Sequence, residues 1–340
     1  MVDLRGFYSG RTVLVTGGAG AIGSHLVRAL SDLGARVVVL DDLSSGRLWN
    51  LPGRPDVWFV RGSVTDPDAI ECVFEDRPRT VFHLAALFAN QNSVDHPERD
   101  LEVNGFGTLR MLEASVEHGV ERFVFASSGC AYYEDGLPLP VQEDTAAIHP
   151  VTPYQITKGL AELYCRYFQR QHGLQTVRAR LFNSFGPGEV PGRYRNVIPN
   201  FLYLAMTGQP LVITGTGEET RDFTWVGDIV DGLLRAGAVE AAAGEALNLG
   251  SGREVRIATL ADLVIRLTGS TAGIRFAARR GWDVKTRLVA DISKARRLLG
   301  YSPGSVSFEE GVRRTFEWMR ENWDRIQWES EWGTTGHDGA

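Results

Sequence analysis

The amino-acid sequence predicts an α/β protein, a doubly wound parallel sheet with a smaller, partly discontinuous C-terminal domain. Three observations carry the prediction. Short β-branched runs alternate with longer stretches of helical periodicity over roughly the first 180 residues, the pattern of a parallel sheet covered on both faces. After Gly186-Pro187-Gly188 the chain changes to shorter pieces punctuated by proline and glycine. Helix-like Val226 to Ala236 and strand-like Ala246 to Leu249 then repeat the alternation of the first half, so part of the second half is expected to return to the sheet.

Thr12 to Thr16, Arg36 to Leu40, Val57 to Val60, Thr80 to His83, Arg122 to Ala126 and Thr176 to Leu181 read as buried strands, being short, near-continuous apolar runs. A late helix from Phe308 to Trp323 carries Phe308, Val312, Phe316, Met319 and Trp323 at spacings of three and four, which gives it one buried face. The expected division is a first domain over 1–182 with 224–250, and a second over 183–223 and 251–328. Residues 329–340, with Gly333, Gly336 and Gly339, read as a tail.

Composition narrows the function. With 340 residues, 43% hydrophobic and 23% charged, the chain has ample core material and is not of the disordered class. A net charge of -6 without a basic run gives no footprint for nucleic acid, and no apolar run approaches the ~18 residues of a membrane span. Cys72, Cys130 and Cys165 are odd in number and in no metal-ligand spacing, so neither a disulfide framework nor a metal site is expected. The start lacks the apolar stretch of a signal peptide, which makes the cytoplasm the expected compartment. Only Lys158, Lys285 and Lys294 stand beside 33 arginines, so the position of each lysine is informative.

Thr12 to Thr16 leads into Gly17-Gly18-Ala19-Gly20-Ala21-Ile22-Gly23, and Ser24 to Leu33 continues with helical periodicity. Glycines let the backbone turn tightly against a pyrophosphate, whose charge rests on the N–H groups and dipole of the following helix. Gly17, Gly20, Ala21, Ile22 and Gly23 are therefore candidate cofactor contacts in a Rossmann-type domain. The second strand ends in Asp41, roughly 20 residues after the glycines, where an acid accepts from an adenosine ribose and repels a 2′-phosphate. NAD is the expected cofactor. Ser63 and Val64, after the third strand, would lie beside the adenine, and Leu84, Ala85 and Ala86, after the fourth, beside the middle of the cofactor.

Tyr154-Gln155-Ile156-Thr157-Lys158 opens a predicted helix after Pro150 and Pro153. Residues four apart share a helix face, so phenol and ammonium can point into one site. Nine tyrosines and three lysines give only about 0.08 such pairs by chance. A nearby cation favours the phenolate of a tyrosine whose ordinary pKa is ~10. Ser127-Ser128 ends the fifth strand at the carboxyl edge, where open α/β sheets bind ligands.

Taken together, the glycine turn, Asp41, His83-Leu84-Ala85-Ala86, Ser127-Ser128 and Tyr154-x-x-x-Lys158 resemble the extended short-chain dehydrogenase/reductases of the nucleotide-sugar epimerase and dehydratase group. The likeness continues through Arg180 to Pro187, Gly208 to Leu211, Arg221-Asp222-Phe223 and Asp291 to Ala295. It implies Ser128 as the catalytic hydroxyl, Tyr154 as acid/base, and Lys158 as its cationic neighbour and a cofactor contact. It also implies Asn183, Asn196, Val197, Arg221 and Arg280 around the nucleotide-sugar phosphates, with Asp283 positioning Arg280.

Within that group, 4,6-dehydratases carry Asp-Glu directly after the catalytic hydroxyl and UDP-glucuronate decarboxylases carry Glu at the place of Cys130. Here Gly129 and Cys130 stand there. A cysteine at this spacing serves C3/C5 epimerases, but their second group, a histidine after Gly-Pro or a nearby lysine, is not evident in this segment. The remaining pattern resembles a 4-epimerase, with NAD tightly bound and regenerated in each turnover and a nucleotide sugar as substrate, a UDP-hexose or UDP-uronate first, with TDP and GDP as the alternative carriers. A binding protein without turnover is the competing class. Ala86, Leu87, Asn90, Gln91 and Asn92 match the loop beside the sugar, and Arg193, Arg195 or Arg287 can meet a uronate carboxylate or the pyrophosphate. The resemblance further implies a homodimer formed through helices around Leu101 to Glu117 and Tyr154 to Arg170.

Overall fold

Seven strands form one sheet: β1 (Thr12–Thr16), β2 (Arg36–Asp41), β3 (Val57–Arg61), β4 (Thr80–His83), β5 (Arg122–Ser128), β6 (Gln175–Leu181) and β7 (Ala246–Leu249). Their order is 7-6-5-4-1-2-3 and every pairing is parallel, so all the carboxyl ends lie along one edge. The order reverses between β1 and β4, which opens a crevice at that edge. The computed structural model describes residues 2–132, 135–145 and 149–329, and the expected tail lies outside them from residue 330 on.

Alternation along the strands separates two cores. Val13, Val15, Val37, Val39, Phe82 and Val124 join one apolar cluster, while Leu14, Val38, Leu40, Val81, Phe123 and Phe125 join another. Successive side chains point to opposite faces, so the clusters lie on the two sides of the sheet, where continuous apolar strands need cover. A third cluster unites the helices Val197–Met206, Ile257–Thr268 and Phe308–Glu321 with the parallel strand pair Leu211–Thr214 and Ile274–Ala277.

The strands agree with the sequence expectation within two residues, and the extensions matter. β2 includes Asp41, and β5 runs on through Ser127 and Ser128. The stretch from Leu101 is split, with a π-helical segment Leu101–Gly107 leading into an α-helix Thr108–Glu117. The late helix ends at Glu321 because Asn322 breaks it, with both its backbone N–H and its side-chain amide donating to the Trp318 carbonyl. Trp323 therefore begins a second helix. Among the described residues no helix is long and apolar enough to cross a membrane.

Behind the end of β5 lies a buried ion pair. Arg180 on β6 meets Glu162 with two bonds of 2.9 Å, and Ser127 Oγ donates to the same carboxylate at 2.6 Å. Arg180→Met would strand the Glu162 charge without its cation, with an expected loss of about 3–5 kcal/mol. Denaturant unfolding measures it, and a loss below about 1 kcal/mol would contradict the arrangement.

Candidate active site

The glycine turn is forced by contact. Gly17 has φ of 70°, and a Cβ there would stand 2.7 Å from the backbone nitrogen of Ala85; a Cβ on Gly23 would lie 2.1 Å from the Gly17 carbonyl oxygen. The turn therefore lets β1 pass against the end of β4 and brings the helix Gly23–Asp32 up to the crevice. Asp41 Oδ2 accepts from the Ala19 N–H and Oδ1 from the Leu43 N–H, both at 2.9 Å. One acid thus ties the glycine turn to the loop after β2, and burial raises its pKa.

His83, fully buried at the end of β4, continues this scaffold. The Ala85 N–H donates to Thr16 Oγ1, whose hydroxyl can donate to His83 Nδ1 at 2.8 Å. On the other side Thr108 Oγ1 donates to the Asn104 carbonyl, so it accepts from His83 Nε2 at 3.0 Å. The network selects the Nε2–H tautomer. Asn104, on the π-helical segment, also pairs with Leu87 through both its amide atoms, which shapes the loop after β4.

The helix Pro153–His172 begins where its cap dictates: Thr152 Oγ1 accepts from the Gln155 N–H, and Pro153 occupies the first turn. Tyr154 and Lys158 are both buried, so they are not a surface pair. Lys158 Nζ donates to the Ala126 carbonyl at 2.9 Å and sits 5.6 Å from the Tyr154 ring centre. Burial lowers the lysine to about 8, while Asp100 acts in the opposite direction. For Tyr154 burial dominates and pushes the phenol above its usual range, with Cys130 and Asp100 adding to this and a hydrogen bond from Ser128 opposing it. Ser127 is committed to Glu162, whereas Ser128 faces the crevice with its Oγ 3.0 Å from Cys130 Sγ.

One cavity of about 470 Å3 is lined by Gly17, Gly20, Ala21, Ile22, Gly23, Asp41, Ser63 and Val64, then Leu84, Ala85, Ala86, Ser128, Tyr154 and Lys158, and finally Asn183, Asn196, Val197, Arg221, Arg280 and Asp283. One expected pairing is different: Asp283 Oδ1 accepts from Arg221 at 3.0 Å, while the Arg280 guanidinium lies over the Trp282 ring at 5.6 Å. The two arginines are separated by what each can reach, a carboxylate for one and an indole face for the other. Arg193 and Arg195 line the cavity; Arg287 is outside its lining and pairs with Glu254. Asn92 likewise turns away, its amide donating to the Phe88 carbonyl.

Two lining residues carry roles that no sequence motif announces. Glu189 is buried, accepts from the Asn196 backbone and side chain at 3.0–3.2 Å, and is raised in pKa by burial. Lys285 is buried, with its Nζ donating to the Cys130 carbonyl. The scarcity of lysine is the one signal for it in the sequence.

A dinucleotide turn, an acid at the end of β2, and a hydroxyl, phenol and ammonium on one cavity define the class of nucleotide-dependent α/β enzymes with Tyr-Lys chemistry. The chain belongs to the NAD dependent epimerase/dehydratase family, whose model matches residues 13–250. It is 35% identical to the UDP-glucose 4-epimerase of Mycolicibacterium smegmatis over 90% of this chain and 98% of that protein. It is 33% identical to UDP-glucuronic acid decarboxylase 1 of Xenopus tropicalis over 91% of this chain and 72% of that protein. Among solved structures, the epimerase Mth375 of Methanothermobacter thermautotrophicus superimposes with a TM-score of 0.94 at 52% identity, covering 96% of this chain and 97% of that one. The UDP-glucose 4-epimerase of Thermotoga maritima, solved with UDP-glucose, gives 0.86 at 36% identity, covering 92% and 99%. NAD is the family's cofactor, and the glycine turn and Asp41 lie together on the lining of the cavity.

The tautomer network generates a prediction. Burial lowers His83 from the ordinary 6.5 to about 3, so the ring stays neutral in the folded protein while the unfolded chain takes up a proton below about 6.5. Stability from this group is therefore complete above that value and declines as pH falls towards 3. Nitrogen NMR of the His83 ring is expected to show an unchanging Nε2–H form from pH 8 to pH 5; a titration near 6.5 would contradict the network.

Proposed function

We propose that this protein is an NAD-dependent nucleotide-sugar 4-epimerase acting on a UDP-hexose or UDP-uronate. One observation carries the reading: Ser128, Tyr154 and Lys158 meet on the cavity that begins at the glycine turn, with Gly129 and Cys130 directly after the hydroxyl. NAD, which the glycine turn and Asp41 would hold, would supply reversible hydride acceptance at C4. Tyr154 takes the O4 proton as the ketone forms and gives it back after the sugar has turned. Ser128 holds O4 during both transfers, and Lys158, positioned by Ala126, keeps positive charge beside the phenol below about pH 8.

Asn183, Asn196, Val197, Arg221 and Arg280 hold the diphosphate side. Val197 begins the helix Val197–Met206, whose first N–H groups suit an anion, and Asp283 orients Arg221. The decarboxylase reading lacks its carboxylate, since Cys130 stands at that place. UDP as carrier is supported by the UDP-sugar names of the relatives.

Incubation with UDP-hexoses and UDP-uronates in deuterated water, without added coenzyme, tests the reading. Inversion at C4 without deuterium incorporation is expected. Deuterium at C3 or C5, release of carbon dioxide, or a 4-keto-6-deoxy product would replace it with a sister reaction. Tyr154→Phe should lower kcat by about 10²–10⁴ with substrate binding intact; near wild-type rates would refute its role.

A homodimer is part of the proposal. Leu101, Phe106, Ile156, Leu163 and Tyr167 remain exposed on neighbouring helical segments, an apolar patch suited to a second copy. Light scattering at micromolar concentration should give twice the chain mass, and a monomer mass would refute the dimer.

A further inference from the structure

The cavity holds a cation that no carboxylate among the described residues answers with an ion pair. Lys285 is only 7% exposed, and its Nζ donates to the Cys130 carbonyl. The thiol of the same Cys130 lies 3.0 Å from Ser128 Oγ, and Lys285, Cys130 and Ser128 all line the one cavity. Of the other cations of the lining, Arg221 is engaged with Asp283, Arg193 with Asp95 and Arg280 over Trp282, Arg195 donates to the Ser45 carbonyl, and Lys158 donates to the Ala126 carbonyl beside Tyr154. Among the described residues Lys285 forms no ion pair. Asp283, Asp135 and Cys130 favour its charged form from a distance, while Arg221 and burial disfavour it.

A buried ammonium with one neutral partner is poorly compensated. A neutral hexose would leave it so, whereas a carboxylate would give it a charge-assisted bond. In a uronate that carboxylate is C6, two bonds from the C4 that Ser128 and Tyr154 engage. We propose that Lys285 is the receptor for a sugar carboxylate and that the substrate class is a UDP-uronate rather than a neutral UDP-hexose. The proposal rests on the nucleotide-sugar reading above. Lysine also fits the epimerisation better than arginine: its point charge on a flexible stem can release the carboxylate as the sugar turns and take it again, which a rigid two-pronged grip resists.

Binding in the Tyr154→Phe background separates this proposal from the reaction it serves. Titration calorimetry with UDP-glucuronate, UDP-glucose and UDP alone should show UDP-glucuronate binding about 10- to 100-fold tighter than UDP-glucose, the range of a hydrogen bond between charged groups. That preference should vanish in Tyr154→Phe/Lys285→Met and in Tyr154→Phe/Lys285→Gln, with UDP alone as the reference for an intact pocket. Equal affinities in the Tyr154→Phe background, or a preference that survives in the Lys285 variant that retains UDP binding, would overturn the proposal. Product analysis of the wild-type protein with UDP-glucuronate is read separately. Absence of C4 inversion there, with the Lys285-dependent preference intact, would refute the 4-epimerase reading alone.

Discussion

The hydrogen bond from Lys158 Nζ to the Ala126 carbonyl holds the reacting side of this molecule together. It crosses from the helix Pro153–His172 to β5 two residues before Ser128, and so fixes the distance between helix and strand end. Tyr154, Lys158 and Glu162 follow one another at intervals of four along one face of that helix. Each meets the sheet with a polar group: Glu162 grips Arg180 and Ser127, Lys158 grips Ala126, and Tyr154 reaches Ser128. A helix buried on this face would ordinarily present apolar side chains. Here a polar stripe replaces them, and because each member has a partner, its burial yields a fixed alignment.

Burial then sets the chemistry of that stripe. Loss of water favours the neutral form of both phenol and lysine, raising Tyr154 and lowering Lys158 to about 8. On a surface helix the two groups would titrate close together, near ~10. Inside the cavity burial moves them in opposite directions, the phenol above its usual value and the lysine below its own. Asp100 restrains the shift of the lysine while its own charge is supported by Thr157 and Asn104 at 2.7 Å each. The π-helical segment matters here, since it turns Asn104 inward to serve Asp100 and Leu87 at once.

What the sequence disclosed followed the range of its interactions. The glycine turn, Asp41 and the Tyr154/Lys158 pair are local patterns, each completed within a few residues or one strand-turn-helix unit, and they stand where the periodicities put them. The pairing of Arg221 with Asp283 spans 62 positions, and the approach of Lys285 to Cys130 spans 155. Neither has a spacing rule. Asp283 lies three residues from Arg280 along the chain, which makes that partnership the natural expectation, yet the indole of Trp282 takes the face of Arg280 and leaves the carboxylate to Arg221. Glu189 is hidden for a similar reason, because its work is to hold Asn196 and only the folded loop brings them together. The break at Asn322 is masked by an apolar periodicity that continues across it.

The cavity is continuous because the segment after Gly186 closes over the nucleotide end. His25 Nε2 donates to the Pro187 carbonyl at 2.9 Å, Asn50 to the Gly188 carbonyl at 3.0 Å, and Arg195 to the Ser45 carbonyl at 3.0 Å. Burial keeps His25 below its usual pKa, so this donor is a neutral ring. The wall of the nucleotide end is thus made from the chain that also carries Glu189, Asn196 and Val197 into the cavity. Opening one half for exchange requires breaking bonds that shape the other. Such coupling would hinder an enzyme that released reduced cofactor in every cycle. In a reaction that returns the hydride to the same sugar the cofactor stays through turnover after turnover, and a wall shared by both ligands then leaves the rate untouched while it keeps the ketone from water.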